Sequence, residues 1–209
     1  MAKSLATHLS HKSALCLLPP ASITPPVEAV RKIHDKHFER WPPHINLLYP
    51  FLASPSEVNA NAEEGAAPHL KEDIRVRIRK AVKPFLPFHV SLQADPPGVF
   101  SHSSKSKTVW LGPSTQSVQD LQAALQAEFA ECDADQRPFS PHLSVGQARS
   151  DQAAKAVGKE IKDSILKFIA EQKEEDAVAL DWYVDQVFVI ERKGYNGRFK
   201  VVGSVELGK

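Results

Sequence analysis

"WPPHINLLYPF", residues 41–51, places one histidine after two prolines and ahead of an almost continuous apolar run. A short apolar run of this kind predicts a buried strand, here over residues 44–52. Residues i and i+2 of a strand point to the same side, so His44 and Asn46 share a face. "RPFSPHLSVG", residues 137–146, repeats the arrangement, because His142 also follows a proline and Ser144 lies two positions on. The two segments therefore predict two matching strands, each with a histidine and a small polar residue on one face.

The segments around these strands alternate between helical and extended patterns. Apolar spacing predicts helices within residues 24–41, 69–83, 117–133 and 151–172. Further strands are predicted at 13–20, 88–94, 107–112, 178–192 and 198–207. Residues 53–69 and 95–106 are rich in small polar residues and proline, and we predict exposed loops there.

The order of these elements repeats loosely along the chain. It predicts an α+β fold formed by residues 1–209 as a single bilobal domain. Each half would contain an antiparallel sheet with outer helices, related by a pseudo-twofold axis. One histidine strand from each half would then face a central cleft, which would bring His44 and His142 together.

The composition excludes several classes of protein. Lys and Arg number 26 and Asp and Glu 25, a net charge of +1 that offers no broad surface for long duplex nucleic acid. No segment approaches the roughly 18 apolar residues of a membrane span, and no signal peptide is evident. Two cysteines, with Cys16 among leucines, predict buried free thiols rather than a disulfide framework. We expect a monomer in the cytosol or nucleus.

Two imidazoles that share a cleft can divide acid and base work, because histidine titrates near neutral pH. Phosphoryl transfer suits such a pair, since a hydroxyl or amide beside each histidine could donate hydrogen bonds to phosphate oxygens. A bell-shaped pH dependence around neutrality follows from that division. The alternative is that His44 and His142 are structural, each satisfied in the core or solvated at the surface.

The two segments together resemble the two-histidine (2H) phosphoesterase superfamily, which includes 2'-5' RNA ligase-like proteins and cyclic phosphodiesterases. Members carry two His-x-Thr/Ser motifs, matched here by "HIN" at 44–46 and "HLS" at 142–144. The resemblance implies catalysis by His44 and His142, with Asn46 and Ser144 in contact with phosphate. Asn46 departs from the hydroxyl residue of the motif. Gln147 stands where many relatives have a basic residue, a charge that Arg149, Arg192 or Lys193 could supply.

By this resemblance we expect a phosphodiesterase that opens a 2',3'-cyclic phosphate, at an RNA end or on a nucleoside, to a 2'-phosphate. The assignment made here has His142 as the base and His44 as the acid, with no metal or organic cofactor required. One alternative is a 2'-5' phosphodiester hydrolase or ligase acting on oligonucleotides. Another is a non-catalytic nucleotide-binding module, which the departures at Asn46 and Gln147 would favour.

Several other side chains are weaker candidates for contact with a substrate. Among the aromatic residues, Phe51, Phe139 and Tyr195 could stack on a base, as could Trp41 and Tyr49. Core packing is the competing interpretation for aromatic residues in strands. Arg192 and Tyr195, near a turn between the last strands, are better placed to reach a ligand. His34 and His37 are spaced as metal ligands can be, but no partner at ligand spacing accompanies them, which favours a solvated helix face.

Overall fold

A computed structural model describes residues 5–58, 67–135, 137–172 and 179–209. It contains four helices in these ranges, α1 Pro25–His34, α2 Glu72–Val82, α3 Ser117–Glu128 and α4 Asp151–Glu171. The first six strands are β1 Leu9–Ser10, β2 Ser13–Leu17, β3 Ile45–Leu48, β4 Phe51–Leu52, β5 Ser56–Glu57 and β6 His69–Leu70. The other seven are β7 Phe88–Gln93, β8 Gly98–Ser103, β9 Ser106–Leu111, β10 Leu143–Ala148, β11 Ala179–Val184, β12 Gln186–Glu191 and β13 Lys200–Glu206.

The largest sheet of the described chain has seven strands in the order β13-β12-β2-β3-β10-β9-β8. All of its neighbouring strands are antiparallel. Three two-stranded pairs, β1-β4, β5-β6 and β7-β11, complete the strand pairing. Strands β3 and β10, which follow the two histidines, are hydrogen-bonded neighbours at the centre of the large sheet.

The helices pack as two pairs, α1 with α4 and α2 with α3. Helices α1 and α4 lie against β10, whereas α3 contacts β3 and α2 contacts β13. The helices present apolar stripes to the sheet, such as Ile161 and Ile165 of α4, which are fully buried in the main core. Ile45 and Leu143 belong to the same core, so the residues on either side of them point to the opposite face.

The predicted α+β class, with antiparallel sheets and outer helices, is confirmed. The two histidine strands, however, are joined edge to edge in one continuous sheet and do not belong to separate sheets. The helix predicted within 24–41 ends early, at His34, where the buried Asp35 side chain pairs with Arg31. The strand predicted over 178–192 divides at Asp185 into β11 and β12.

The two predicted loops behave differently. Residues 95–106 were predicted to be a loop, but they contain β8, whose exposed, polar sequence "GVFSHS" is held in the sheet by pairing with β9. In the segment 53–69, residues 56–57 pair with 69–70 as a short ladder. Residues 59–66 of that predicted loop lie outside the described residues. No helix in the described ranges combines the length and apolarity needed to cross a membrane.

Candidate active site

The sheet register places the four motif residues side by side. Ile45 of β3 pairs with Leu143 of β10, and both side chains are fully buried on the helix side. Continuing this antiparallel register sets His44 opposite Ser144 and Asn46 opposite His142. The histidines are therefore diagonal neighbours on the open face, a relation that separates Cα atoms by about 7–8 Å. A phosphate can sit between two imidazoles at this spacing.

Each histidine ring is held by a hydrogen bond to the backbone carbonyl two residues before it. The Nδ1 of His44 lies 2.8 Å from the carbonyl oxygen of Pro42, and the Nδ1 of His142 lies 2.9 Å from the carbonyl oxygen of Ser140. A carbonyl oxygen only accepts, so each Nδ1 carries the proton and donates. Each neutral ring consequently keeps a free lone pair on Nε2. The two Nε2 atoms are the groups available for proton transfer.

An aromatic cluster fixes the ring of His44. Trp41 stacks on His44 with ring centroids 4.5 Å apart and on Phe199 at 3.7 Å. Two rings this close to one indole must lie on its opposite faces, so both faces of Trp41 are covered. Tyr49 contacts the indole edge-on at 5.3 Å. Trp41 thus supports His44, which favours packing over stacking on a base as the role of this residue.

A second aromatic group lies beside His142. Phe100 of β8 and Trp110 of β9 stack with centroids 4.9 Å apart, and Phe100 meets the His142 ring edge-on at 4.8 Å. The indole lies over Gly98, where an added Cβ would approach its ring carbons to 2.2 Å. Sequence reasoning missed Phe100 because β8 was assigned to a loop, and it gave Trp110, within the predicted strand 107–112, no role in the site. The glycine opposite Trp110 in the β8–β9 ladder was the available signal.

Burial lowers the pKa of both histidines. The pKa of His44 falls to about 4, mainly because burial disfavours the charged ring, and the positive charge of Arg31 adds to this effect. Burial also lowers the pKa of His142, although its bond to the Ser140 carbonyl opposes that change. Both rings are therefore predominantly neutral at pH 7 in the free protein.

Asn46 and Ser144 lie on the open face with the histidines and are half buried. The Oδ1 of Asn46 is buried and has no hydrogen-bond partner among the described residues. The side chain as a whole lies on the same face of the sheet as His44, two residues before it in the chain. An amide N–H and a serine hydroxyl can both donate to a phosphate oxygen. This arrangement agrees with the roles implied for Asn46 and Ser144 but does not test them.

A buried ion pair ties the first motif to the second strand. Arg31 and Asp35 are almost completely buried and bond at 2.7 Å, and Arg31 also donates to the Trp41 carbonyl at 3.0 Å. Gln147 of β10 donates to Asp35 at 3.1 Å and accepts from the backbone N–H of Lys36 at 3.0 Å. Gln147 therefore anchors the end of α1. Sequence reasoning considered only whether Gln147 lacks a charge.

The aromatic candidates Phe51 and Phe139 pack inward. Phe51 is fully buried and contacts Phe129 edge-on at 5.3 Å, so the prediction that it contacts a substrate is wrong. It belongs to the main core, where packing excludes ligands. Phe139 is half buried and packs against the same core. Its contact with a substrate stays a prediction.

Arg192 and Tyr195 differ in what they can reach. Arg192 is 9% exposed, and its guanidinium donates to the carbonyls of Gly194 and Tyr195 at 2.5 and 2.6 Å. These bonds make Arg192 a clamp for the turn rather than an open cation. Tyr195 is 77% exposed and is free to contact a ligand from the surface.

The described residues contain no group of three or more His, Cys, Asp or Glu side chains that could hold a metal ion. His34, considered as a ligand, bonds to Glu160 at 2.8 Å, and His37 lies beyond the end of α1. Two cavities lie away from the histidines, one near Pro19 and Tyr183 and the other between Pro97 and α4. We place the candidate site at the histidine pair because two titratable rings and two side chains that can donate hydrogen bonds converge there.

Known proteins resemble this chain in sequence and in fold. A family model for the 2'-5' RNA ligase superfamily matches residues 19–196. Among solved structures, Escherichia coli LigT complexed with 3'-AMP aligns with a TM-score of 0.54 at 15% identity, covering 95% of this chain and 99% of LigT. The protein TT0787 of Thermus thermophilus aligns with a TM-score of 0.54 at 16% identity, covering 94% of this chain and 97% of that protein. No curated protein sequence matches significantly. The chain belongs to the 2'-5' RNA ligase superfamily of two-histidine phosphoesterases.

Proposed function

We propose that this protein is a phosphodiesterase that hydrolyses a 2',3'-cyclic phosphate, at an RNA end or on a nucleoside, to a 2'-phosphate. One observation carries the proposal. In both His44 and His142, Nδ1 donates a hydrogen bond to the backbone carbonyl two residues earlier. Both Nε2 atoms are thereby left available on one face of two adjacent strands. Two structural histidines have no reason to repeat this arrangement. An acid and a base acting on one phosphate need it.

The reaction requires two proton transfers and one substitution at phosphorus. The neutral histidine removes a proton from water as the water oxygen bonds to phosphorus. The bond from phosphorus to O3' breaks, and the protonated histidine delivers its proton to O3'. The products are a 2'-phosphate and a 3'-hydroxyl, and the histidines end with exchanged protonation states that solvent resets. Asn46 and Ser144 would donate to the non-bridging oxygens, where negative charge is held.

The pKa values favour one division of roles. His44, with a pKa of about 4, is the ring that is neutral over the wider pH range. In the singly protonated site the proton therefore resides mainly on His142. This order favours His44 as the base and His142 as the acid, which reverses the assignment made from the sequence. It also moves the expected maximum of kcat/KM from neutrality to the acidic side, because the acid must be charged while the base is neutral and burial lowers the pKa of both rings.

A nucleotide-sized ligand is supported by the LigT structure, which was solved with 3'-AMP. The family description equally supports the second candidate, hydrolysis or ligation of a 2'-5' linkage in an oligonucleotide. That reaction would use the same acid, base and donors. The third candidate, a binding module without turnover, requires that Asn46 fails to replace a hydroxyl donor.

A single product analysis separates these candidates. The protein is incubated with a labelled RNA that ends in a 2',3'-cyclic phosphate and, separately, with a 2'-5'-linked dinucleotide. We expect conversion of the first to a 2'-phosphate. His44→Ala and His142→Ala should each lower turnover by about 10²- to 10⁴-fold, and the double variant should be little worse. Cleavage of the dinucleotide alone selects the second candidate, and binding without turnover selects the module.

We further propose a monomer in a reducing compartment, the cytosol or nucleus, that binds RNA ends rather than long duplexes. Cys16 and Cys132 support this location because both are free and buried. Burial raises the pKa of the Cys16 thiol well above its usual range, as expected of an unreactive core cysteine.

A further inference from the structure

Three segments meet beside the His44 cluster and form one surface. The backbone N–H of Arg192 donates to the Lys12 carbonyl at 2.9 Å, and the N–H of Phe199 donates to the Arg40 carbonyl at 2.9 Å. Phe199 also stacks on Trp41, which in turn stacks on His44. Residues 10–13, 39–41 and 191–200 are thereby joined to the catalytic face.

The turn between β12 and β13 holds the Tyr195 side chain at the surface. Gly194 has a φ of 68°, which favours glycine, and the buried Arg192 clamps the carbonyls of Gly194 and Tyr195 from beneath. Tyr195 projects outward, and the Arg40 guanidinium lies 5.6 Å from its ring. An exposed aromatic ring among cations is typical of surfaces that bind single-stranded nucleic acid.

Positive charge is concentrated on this surface. The three segments contain six basic and two acidic residues, a net charge of +4, whereas the whole chain has +1 and the remainder therefore −3. One of the two acids, Glu191, is engaged by the Ser56 hydroxyl. We name the accessible cations the basic rim, which consists of Lys12, Arg40, Lys193, Arg198 and Lys200.

We propose that the basic rim, with Tyr195, binds the backbone and a base of single-stranded RNA whose 3' end occupies the site. The inference rests on the proposed function. A 2',3'-cyclic phosphate closes the 3' end of a strand, so the rest of the chain must leave the site in the 5' direction. An open catalytic face flanked by cations allows that path. The preferred substrate is then an oligonucleotide, and a cyclic mononucleotide uses only the catalytic face.

The experiment compares a short RNA ending in a 2',3'-cyclic phosphate with 2',3'-cyclic AMP. For each we measure kcat/KM at increasing monovalent salt. The oligonucleotide should show a slope of log kcat/KM against log salt of about −0.7 for each phosphate that the rim contacts, and cyclic AMP a much flatter one. The Arg198→Glu/Lys200→Glu double variant should flatten the oligonucleotide slope by about 1.4 and leave cyclic AMP turnover unchanged.

A matched control carries the same change of charge elsewhere. Lys155→Glu/Lys167→Glu alters two exposed lysines of α4, on the helix side of the sheet. This variant should behave as the wild type on both substrates. Tyr195→Ala should lower kcat/KM for the oligonucleotide by about 5- to 100-fold, the range for loss of one stacked base. The inference is overturned if the rim variant lowers kcat/KM equally for both substrates. It is also overturned if the rim variant lowers kcat/KM for the oligonucleotide no more than the α4 variant does.

Failure of the proposed function would be distinguishable from failure of the rim. If neither substrate is hydrolysed, the catalytic proposal is wrong, and fluorescence anisotropy with the same labelled oligonucleotide still tests the rim. Weaker binding by the rim variant than by the α4 variant supports the rim. Equal binding by the two variants rejects it.

Discussion

At the scale of single residues, the site depends on two X-Pro-His segments that present their histidines identically. Proline fixes its own φ near −65° and restricts the residue before it, so the carbonyl two residues ahead of each histidine is held where Nδ1 reaches it. Pro43 and Pro141 are both buried, which adds to this rigidity. The prolines therefore favour the Nδ1-protonated ring and leave Nε2 available on each histidine.

The division of roles can be tested with a substrate that needs no acid. Bis(4-nitrophenyl) phosphate releases nitrophenolate, a leaving group that departs unprotonated at neutral pH. If His142 is the acid, His142→Ala should lose about 10²-fold or more on the cyclic phosphate but much less on the nitrophenyl ester. His44→Ala should lose activity on both, because water still needs a base. The opposite pattern would restore the roles predicted from the sequence.

Asn46 is the residue at which the motif departs from its relatives. Asn46→Thr should keep most activity, since both side chains offer a neutral donor at one strand position. Asn46→Ala should lower turnover by about 10- to 100-fold. Asn46→Asp should be worse still, because a carboxylate about 4 Å from the phosphate is repelled by roughly 4 kcal/mol at an effective dielectric of 20. Steady-state rates, with circular dichroism as the check on folding, decide the matter, and equal turnover of aspartate and asparagine would exclude contact with phosphate.

Sequence patterns identified the polar residues of the site better than its aromatic ones. His44, Asn46, His142 and Ser144 were predicted to come together, and the strand register places them side by side, because strand alternation is local and two matching segments reinforce each other. An aromatic residue in a strand carries no such mark, since core packing and ligand contact use the same side chain. Phe51 was misassigned for that reason.

At the scale of elements, the Arg31–Asp35 pair joins α1, the segment before His44 and β10. Asp35→Ala should cost about 3–5 kcal/mol of unfolding free energy, because it leaves the Arg31 charge buried and uncompensated. Replacing both partners, as in Arg31→Met/Asp35→Leu, should cost less, since no unpaired charge remains. The double variant should nevertheless lose turnover, because the Trp41 carbonyl is released. Urea titration and kcat measure the two effects separately, and a fully active double variant would limit the pair to a role in stability.

Element types were predictable wherever periodicity was strong, and failures occurred where pairing overrode local preference. Helices α2, α3 and α4 fall within their predicted ranges. Strand β8 was predicted to be a loop, because Gly98, Ser101 and Ser103 have low strand propensity. Only the ladder with β9 holds them extended. Arg31 and Asp35 have the spacing of an ordinary exposed i, i+4 pair, and their burial follows from packing that no local pattern encodes.

At the scale of the whole molecule, the two histidine strands belong to one sheet, and the candidate site lies where β3 and β10 meet. The repeat in element order predicted that the histidine strands would meet. It could not specify that they would be hydrogen-bonded neighbours, because strand order depends on contacts far apart in the chain. This continuity fixes the histidines relative to each other through backbone hydrogen bonds rather than through a hinge.

The same burial that sets the histidine pKa values should couple folding to pH. The pKa of His44 is about 4 in the folded protein and near 6.5 when unfolded, so the unfolded chain binds more protons between these values. Stability contributed by neutral His44 is therefore present above about pH 6.5 and is lost as pH falls toward 4. Carboxylates titrate in the same range, so the wild type must be compared with His44→Gln, which cannot be protonated. Urea titrations at pH 7 and pH 4.5 should show the wild type losing about 1–3 kcal/mol more than the variant. Equal losses would mean that His44 is solvated in the folded state, and the low pKa assigned to it as the catalytic base would have to be abandoned.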